Sequence, residues 1–222
     1  MSTKGLGITF EETMVGDFAL GETSPQSGQK AGEIQNTQLA MHAKVEIDDL
    51  EKFIIDQNHL GLLTGSINFS PLGNGLVAEK GVFNLFKPAD DPNATHMIYE
   101  LAFHHEGQAY YLAGFKAVKD DRGFDLWSDT TTLFTTLYKG ESKLGEIIAS
   151  GILRLGVIQL TKLLSTVEVT GTDSEVEKMK VVAKFGGFFM GSLWDSYAVP
   201  KFRSKKNRKK NQIVIKLITM LL

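Results

Sequence analysis

The sequence predicts a mainly β fold, an antiparallel meander that is barrel-like or a coiled sandwich, with helices at its C-terminal end. Three observations carry this expectation. Met97 to Gly140 reads as three or four consecutive strands rich in Tyr, Phe, Val, Thr and Leu, side chains that suit a pleated, half-buried surface. Turn signals fall between them, His-Glu-Gly at 105–107 and Asp-Asp-Arg-Gly at 120–123. Glycine is abundant at 22 residues and proline scarce at 5, which fits many tight turns. After Gly140 the apolar period lengthens toward that of a helix.

Taken in order, Ile8–Met14 reads as a short strand and turn. Residues 21–32, GETSPQSGQKAG, are polar and glycine-rich and read as a surface loop. Leu39–Ile47 alternates as a strand, and Asp48 caps a short helix whose buried stripe is Leu50, Phe53 and Ile54. Leu60–Phe69 and Gly75–Phe86 form the next hairpin, ended by Pro88 and Asp-Asp-Pro-Asn. Leu144–Leu155 reads as a last strand and Val157–Leu164 as a helix. Ser174–Tyr197 reads as a longer helix, capped by Ser174 or Asp173, with Val176, Met179, Ala183, Met190 and Trp194 on one stripe. Gly186, Gly187 and Gly191 weaken its middle unless a neighbour packs closely there. Glycines inside strands at 65, 114 and 151 form a weak repeat that would let a meander bend into a barrel, or else coincide by chance. One β-rich domain is expected over 1–200, including a helical element at about 156–197, followed by a distinct tail at 201–222.

Composition excludes several classes. With no cysteine there is no disulfide, thiolate metal site or cysteine nucleophile. The first residues lack the apolar run of a secretory signal, so cytoplasmic residence is expected, with signal-independent export left open. The net charge of −2 hides an asymmetry: residues 201–222 hold 8 Lys and Arg and no acid, leaving 16 basic against 26 acidic side chains elsewhere. An acidic body does not suit nucleic acid, whose phosphates need a basic face. The tail joins a polybasic run, Lys205–Lys210, to an apolar run, Ile213–Leu222, too short to span a bilayer as a helix. It suits contact with an anionic membrane, or else marks an altered chain end.

Candidate chemistry is sparse. His104 or His105 with Asp125 or Asp129 can form an acid–base pair, although adjacent strand residues face opposite sides and only one histidine can take part. The plainer reading of the histidines is a hairpin end. The Asp120–Asp125 run lacks the spacing of a calcium loop and reads as a turn. Trp127–Leu133, WSDTTTL, can offer hydroxyls to a sugar or phosphate but better fits a strand entry. No GxGxxG, GxxxxGK[ST], GxSxG or HExxH motif occurs, so no cofactor or metal is expected.

Phe10–Gly16 (FEETMVG), Gly81–Phe86 (GVFNLF), Tyr99–Phe103 (YELAF), Gly114–Val118 and the WSDTTTL run together resemble an accessory region of large bacterial proteins related to cholesterol oxidase, of the glucose–methanol–choline oxidoreductase family. There, similar segments accompany the flavin enzyme or a lipase-like hydrolase. The resemblance covers roughly 8–197 and implies an accessory role in lipid or sterol metabolism. It transfers no catalytic residue, because the flavin and hydrolase motifs are absent.

The expected function is therefore a non-catalytic module that binds a lipid or sterol-like ligand, or a lipid-metabolising partner enzyme. Phe83, Phe103, Tyr111, Phe115, Trp127 and Phe134 are candidates for an inner, ligand-facing wall, or for plain core. The alternatives are a small hydrolase or isomerase using the His/Asp pair, and a structural interaction domain. In the last, Phe185, Phe188, Phe189, Met190 and Trp194 would meet a partner.

Overall fold

The structure is a computed structural model that describes residues 5–91, 94–119 and 130–197, apart from the side chains of 193–197. Its strands are β1 Gly7–Leu20, β2 Gln38–Ile47, β3 Leu60–Phe69, β4 Gly73–Pro88, β5 Ala94–His105, β6 Gln108–Lys119, β7 Thr132–Lys139, β8 Glu146–Arg154 and β9 Glu168–Thr170. The helices are α1 Pro25–Gln35, α2 Leu50–Ile55, α3 Val157–Ser165 and α4 Glu175–Tyr197.

All the pairings between these strands are antiparallel, and eight of them close into a barrel. Closure depends on β1. One edge pairs with β2 from Ile8 to Asp17, and the other pairs with β8 only from Val15 to Leu20. The start of that second edge pairs with β9 at Gly7–Thr9. Between these two ladders Thr166, at the end of α3, bridges the gap: its Oγ1 accepts from the Glu11 N–H at 2.8 Å. The barrel wall is therefore continued by α3 where strand pairing stops.

Strand parity selects the interior. Ile8, Phe10, Glu12 and Met14 of β1 face in, as do Met97, Tyr99, Leu101 and Phe103 of β5 and Leu112, Gly114, Lys116 and Val118 of β6. In β4 a bulge between Asn84 and Lys87 breaks the alternation, and Phe83 through Phe86 are all buried. Phe86 takes φ +53°, a left-handed conformation an aromatic residue seldom adopts, and so turns inward beneath α4. Of the glycines at 65, 114 and 151, the first and last lie against backbone of a neighbouring strand: a Cβ at Gly65 would lie 2.0 Å from the His42 carbonyl oxygen. A Cβ at Gly151 would lie 2.3 Å from the Asp17 carbonyl oxygen.

The polar stretch 21–32 is not a loop, because α1 begins inside it. Ser24 caps the helix, accepting from the Ser27 N–H at 3.3 Å, and Pro25 occupies the first turn. Its glycines are the packing face. A Cβ at Gly28 would lie 2.0 Å from the Ser150 carbonyl oxygen, and one at Gly32 would lie 2.4 Å from the Phe18 nitrogen. In α2 the cap is Asp49 rather than Asp48, accepting from the Lys52 N–H at 3.1 Å.

The stripe expected on the last helix is also displaced. Val176 and Met179 are 57% and 65% exposed, and Ala183 is exposed as well. The packed face runs through Val181, Val182, Phe185, Phe188 and Phe189, together with Met190 of the expected stripe, while the Trp194 side chain lies outside the described residues. It lies against the barrel, so these aromatics are taken up by the chain's own core. Among the described residues no helix is long and apolar enough to cross a membrane. The tail 201–222 lies outside the described residues.

Candidate functional site

The two ends of the barrel are closed differently. The α1 end is filled by side chains, with Phe18 and Phe69 edge-to-face at 5.2 Å and no exposure at either. The other end holds a cavity of about 130 Å³ beneath α3 and α4. Its barrel wall comes from Ile8 and Phe10 of β1, Phe83 and Leu85 of β4, and Met97 of β5. Its roof comes from Leu160, Leu163 and Leu164 of α3 and Val182, Phe185 and Phe189 of α4. Aromatic contacts hold this roof in place: Phe185 lies 6.1 Å from Phe10, Phe189 lies 5.4 Å from Phe86, and Phe188 lies 4.9 Å from His59.

Three polar side chains at the cavity come from three strands: Glu12 of β1, Tyr99 of β5 and Lys116 of β6. They form a closed ring. Lys116 Nζ donates to Glu12 Oε1 at 2.7 Å and to the Tyr99 hydroxyl at 3.1 Å, and that hydroxyl donates to Glu12 Oε2 at 2.7 Å. Lys116 Nζ also sits 4.7 Å from the centre of the Tyr99 ring, in range for cation–π attraction. The side chains of Glu12 and Lys116 are each only 2% exposed. Such charges are tolerated in an apolar interior when paired and hydrogen-bonded. Burial pushes the Tyr99 hydroxyl well above its ordinary pKa, and the neighbouring Glu12 carboxylate adds to the rise, so the phenol stays protonated. Thr130 and Thr131, before β7, complete the polar part of the lining. Chemically, the site offers a carboxylate, an ammonium and a neutral phenol within hydrogen-bond reach of one another, facing an otherwise apolar space.

Of the six aromatic candidates, Phe83 lines the cavity, packed edge-to-face on Tyr99 at 5.2 Å. Phe103 faces in, but it is core, stacked on Tyr110 at 5.4 Å away from the cavity. Tyr111, Phe115 and Phe134 are corrected to the outer face by strand parity. Tyr111 donates to Glu100 there, while Phe115, 39% exposed, packs on Phe134 at 5.5 Å. Trp127, Asp125 and Asp129 lie outside the described residues. His104 is exposed and His105 is half-buried at the β5–β6 hairpin, where its Nε2 lies 3.9 Å from the Glu106 carboxylate. Neither lines the cavity. Among the described residues no cluster of His, Asp and Glu is placed to hold a metal ion.

Sequence reasoning missed Glu12, Tyr99 and Lys116. A signal was present: an acid and a base each interrupt an inward-facing apolar series, on strands far apart in the chain. Opposite charges at core parity imply a buried pair, because either alone would be costly.

No family model matches the chain, and neither a curated protein nor a solved structure matches it. Nothing in these comparisons links it to the oxidoreductase-associated region that its motifs resemble.

Proposed function

We propose that this chain is a binding module that takes a small, largely apolar molecule into the cavity at the α3/α4 end of the barrel. The observation that carries the reading is the cavity itself, about 130 Å³, apolar apart from the Glu12–Lys116–Tyr99 ring and two threonines. An engineered apolar cavity of roughly 150 Å³ stays dry and accepts benzene, which sets the scale. The lipid or sterol expectation therefore narrows to a single ring or a short branched chain, since a whole sterol would require α4 to move aside. A role beside a lipid-metabolising enzyme, implied by the resemblance, fits a module that holds such a fragment. Cytoplasmic residence stays part of the proposal, since a cysteine-free fold needs no oxidising compartment.

The test is ligand-observed NMR with toluene, paired with thermal unfolding. Saturable binding and a raised Tm are expected, and both are lost in Leu163→Trp, which fills the space from the roof. A wild-type protein indifferent to toluene, benzene and xenon alike would overturn the reading.

One observation favours a second reading, an acid–base isomerase. The ring places a proton acceptor, Glu12, and an electrophilic ammonium, Lys116, side by side at the cavity. The carboxylate would take a proton from the carbon beside a carbonyl held by Lys116, then return it to another carbon. Here Glu12 replaces the His/Asp pair expected from sequence, because His104 and His105 stand away from the cavity. Deuterium entering the α positions of cyclohexanone in D2O, and failing to enter with Glu12→Gln, would support this reading. Exchange no faster than in buffer would dismiss it.

A further inference from the structure

A slot in the barrel wall opens on the cavity, and α3 fills it. The ladder between β8 and β1 begins at Val15, and the ladder between β9 and β1 ends at Thr9. Between them runs the stretch of β1 that carries Phe10 and Glu12 into the cavity. Facing it from α3 are Leu160, Leu163 and Leu164. A small displacement of α3 away from β1 would therefore open the cavity sideways, while β1 keeps its ladder with β2 from Ile8 to Asp17.

The two roof helices are held with different firmness. α3 is a strap tied at both ends: before it the Leu155 N–H donates to the Thr131 carbonyl at 2.9 Å, and after it the three residues of β9 pair with β1. Its tie to the slot itself is a relay through Thr166. The Glu11 N–H donates to Thr166 Oγ1 at 2.8 Å, and that hydroxyl donates to the Leu163 carbonyl at 2.7 Å. Glu11 is exposed, so water can take over its half of the relay. The first turn of α3 leaves Val157 and Ile158 47% and 69% exposed, and among the described residues no side chain caps its N-terminus at Gly156. α4 is pinned more firmly, by Phe185 on Phe10, Phe188 on Phe53, Phe189 on Phe86, and the Lys184–Glu51 ion pair.

Resting on the binding-module reading above, we propose that α3 is the gate of the cavity, a strap that lifts from β1 when the Thr166 relay breaks. The ligand then enters through the wall of the barrel, between β1 and α3, while α4 stays in place. The opening step breaks one surface hydrogen bond and the leucine contacts over the cavity, which the entering apolar ligand replaces.

The experiment measures association and dissociation rates of toluene by NMR exchange in the whole protein. Thr166→Val removes the hydroxyl and keeps the shape; it should raise both rates together by roughly three- to tenfold, the worth of one hydrogen bond, with Kd nearly unchanged. Thr166→Ser, which restores the hydroxyl, should restore wild-type rates. Gly187→Ala, which stiffens α4, should leave the rates as they are. Rates that ignore Thr166→Val, a rise in dissociation alone, or slowing of both rates by Gly187→Ala would overturn the gate while leaving a working cavity. Wild-type protein that takes up no toluene would overturn the binding-module reading, and the gate with it. If Thr166→Val does not fold, native-state hydrogen exchange of the wild type decides. The Glu11 amide is expected to exchange by local opening, at a rate nearly independent of added urea; exchange only through global unfolding would overturn the gate.

Discussion

The two ends of this barrel face the same problem, an open ring of backbone and apolar side chains, and solve it in opposite ways. At one end α1 presents glycines, and its backbone settles directly onto Phe18 and Ser150. At the other, α3 and α4 present leucines and phenylalanines, which hold the helices away from the strands and roof a space. The first end is packed without exposed aromatics, while the second keeps a void and a buried ion pair. Replacing such a pair by apolar side chains often costs nothing in stability. A polar ring retained beside a cavity is thus better explained by what the cavity holds than by what it adds to the fold.

The largest expected effect separates these roles. Glu12→Leu alone leaves Lys116 buried without its carboxylate and should cost about 3–5 kcal/mol in urea unfolding. Adding Lys116→Met should recover most of that loss. Equal stability of the single and double variants would mean that the pair is not a buried unit.

At the packed end, Phe18→Ala should cost about 3–5 kcal/mol through a new void, while toluene binding at the far end persists. Loss of binding in a folded Phe18→Ala protein would show that the ends are coupled.

Glycine substitutions should divide the helices. Gly28→Ala drives a methyl toward the Ser150 carbonyl and should cost about 1–3 kcal/mol. Gly187→Ala in α4 meets open space and should instead stabilise by about 0.5–1 kcal/mol. Destabilisation by Gly187→Ala would reveal a contact on that face.

The last effect is in pH. The folded pKa of Tyr99 is raised, so above pH ~10, the ordinary tyrosine value, an unfolded chain loses this proton while the folded one keeps it. Stability is therefore full below that pH and falls as pH rises beyond it. Tyr111, raised by burial and by its hydrogen bond to Glu100, acts in the same direction on the outer wall. Denaturant titrations from pH 8 to 11 should show a shallower decline in Tyr99→Phe. An unchanged slope would remove Tyr99 from the account.

Much of the fold was legible because strand parity and helical period are local properties. Leu60–Phe69 is a strand with the bounds its pattern implies, and Leu39–Ile47, Val157–Leu164 and Ser174–Tyr197 differ by a residue or so. The failures share a cause. The stretch 21–32 reads as a loop because glycine lowers helix propensity, yet Gly28 and Gly32 are required by what lies across from them. On the last helix the period alone implies one stripe, but the barrel rim and the bulge at Phe86 decide which stripe packs. Phe115 and Phe134 read as inner wall or core because they are aromatic, whereas register places them on the outer wall.

The chain by itself determined that it would be antiparallel β with helices at its end, because alternation, turn residues and a change of period are written into neighbouring positions. It also placed an acid at 12 and a base at 116 at core parity. Only the tertiary structure decided that they meet. They are 104 positions apart, and closure of β1 onto β2 and β8 sets the stagger that brings them together with Tyr99. Parity says that a side chain points inward; what it finds there depends on the far wall of the barrel.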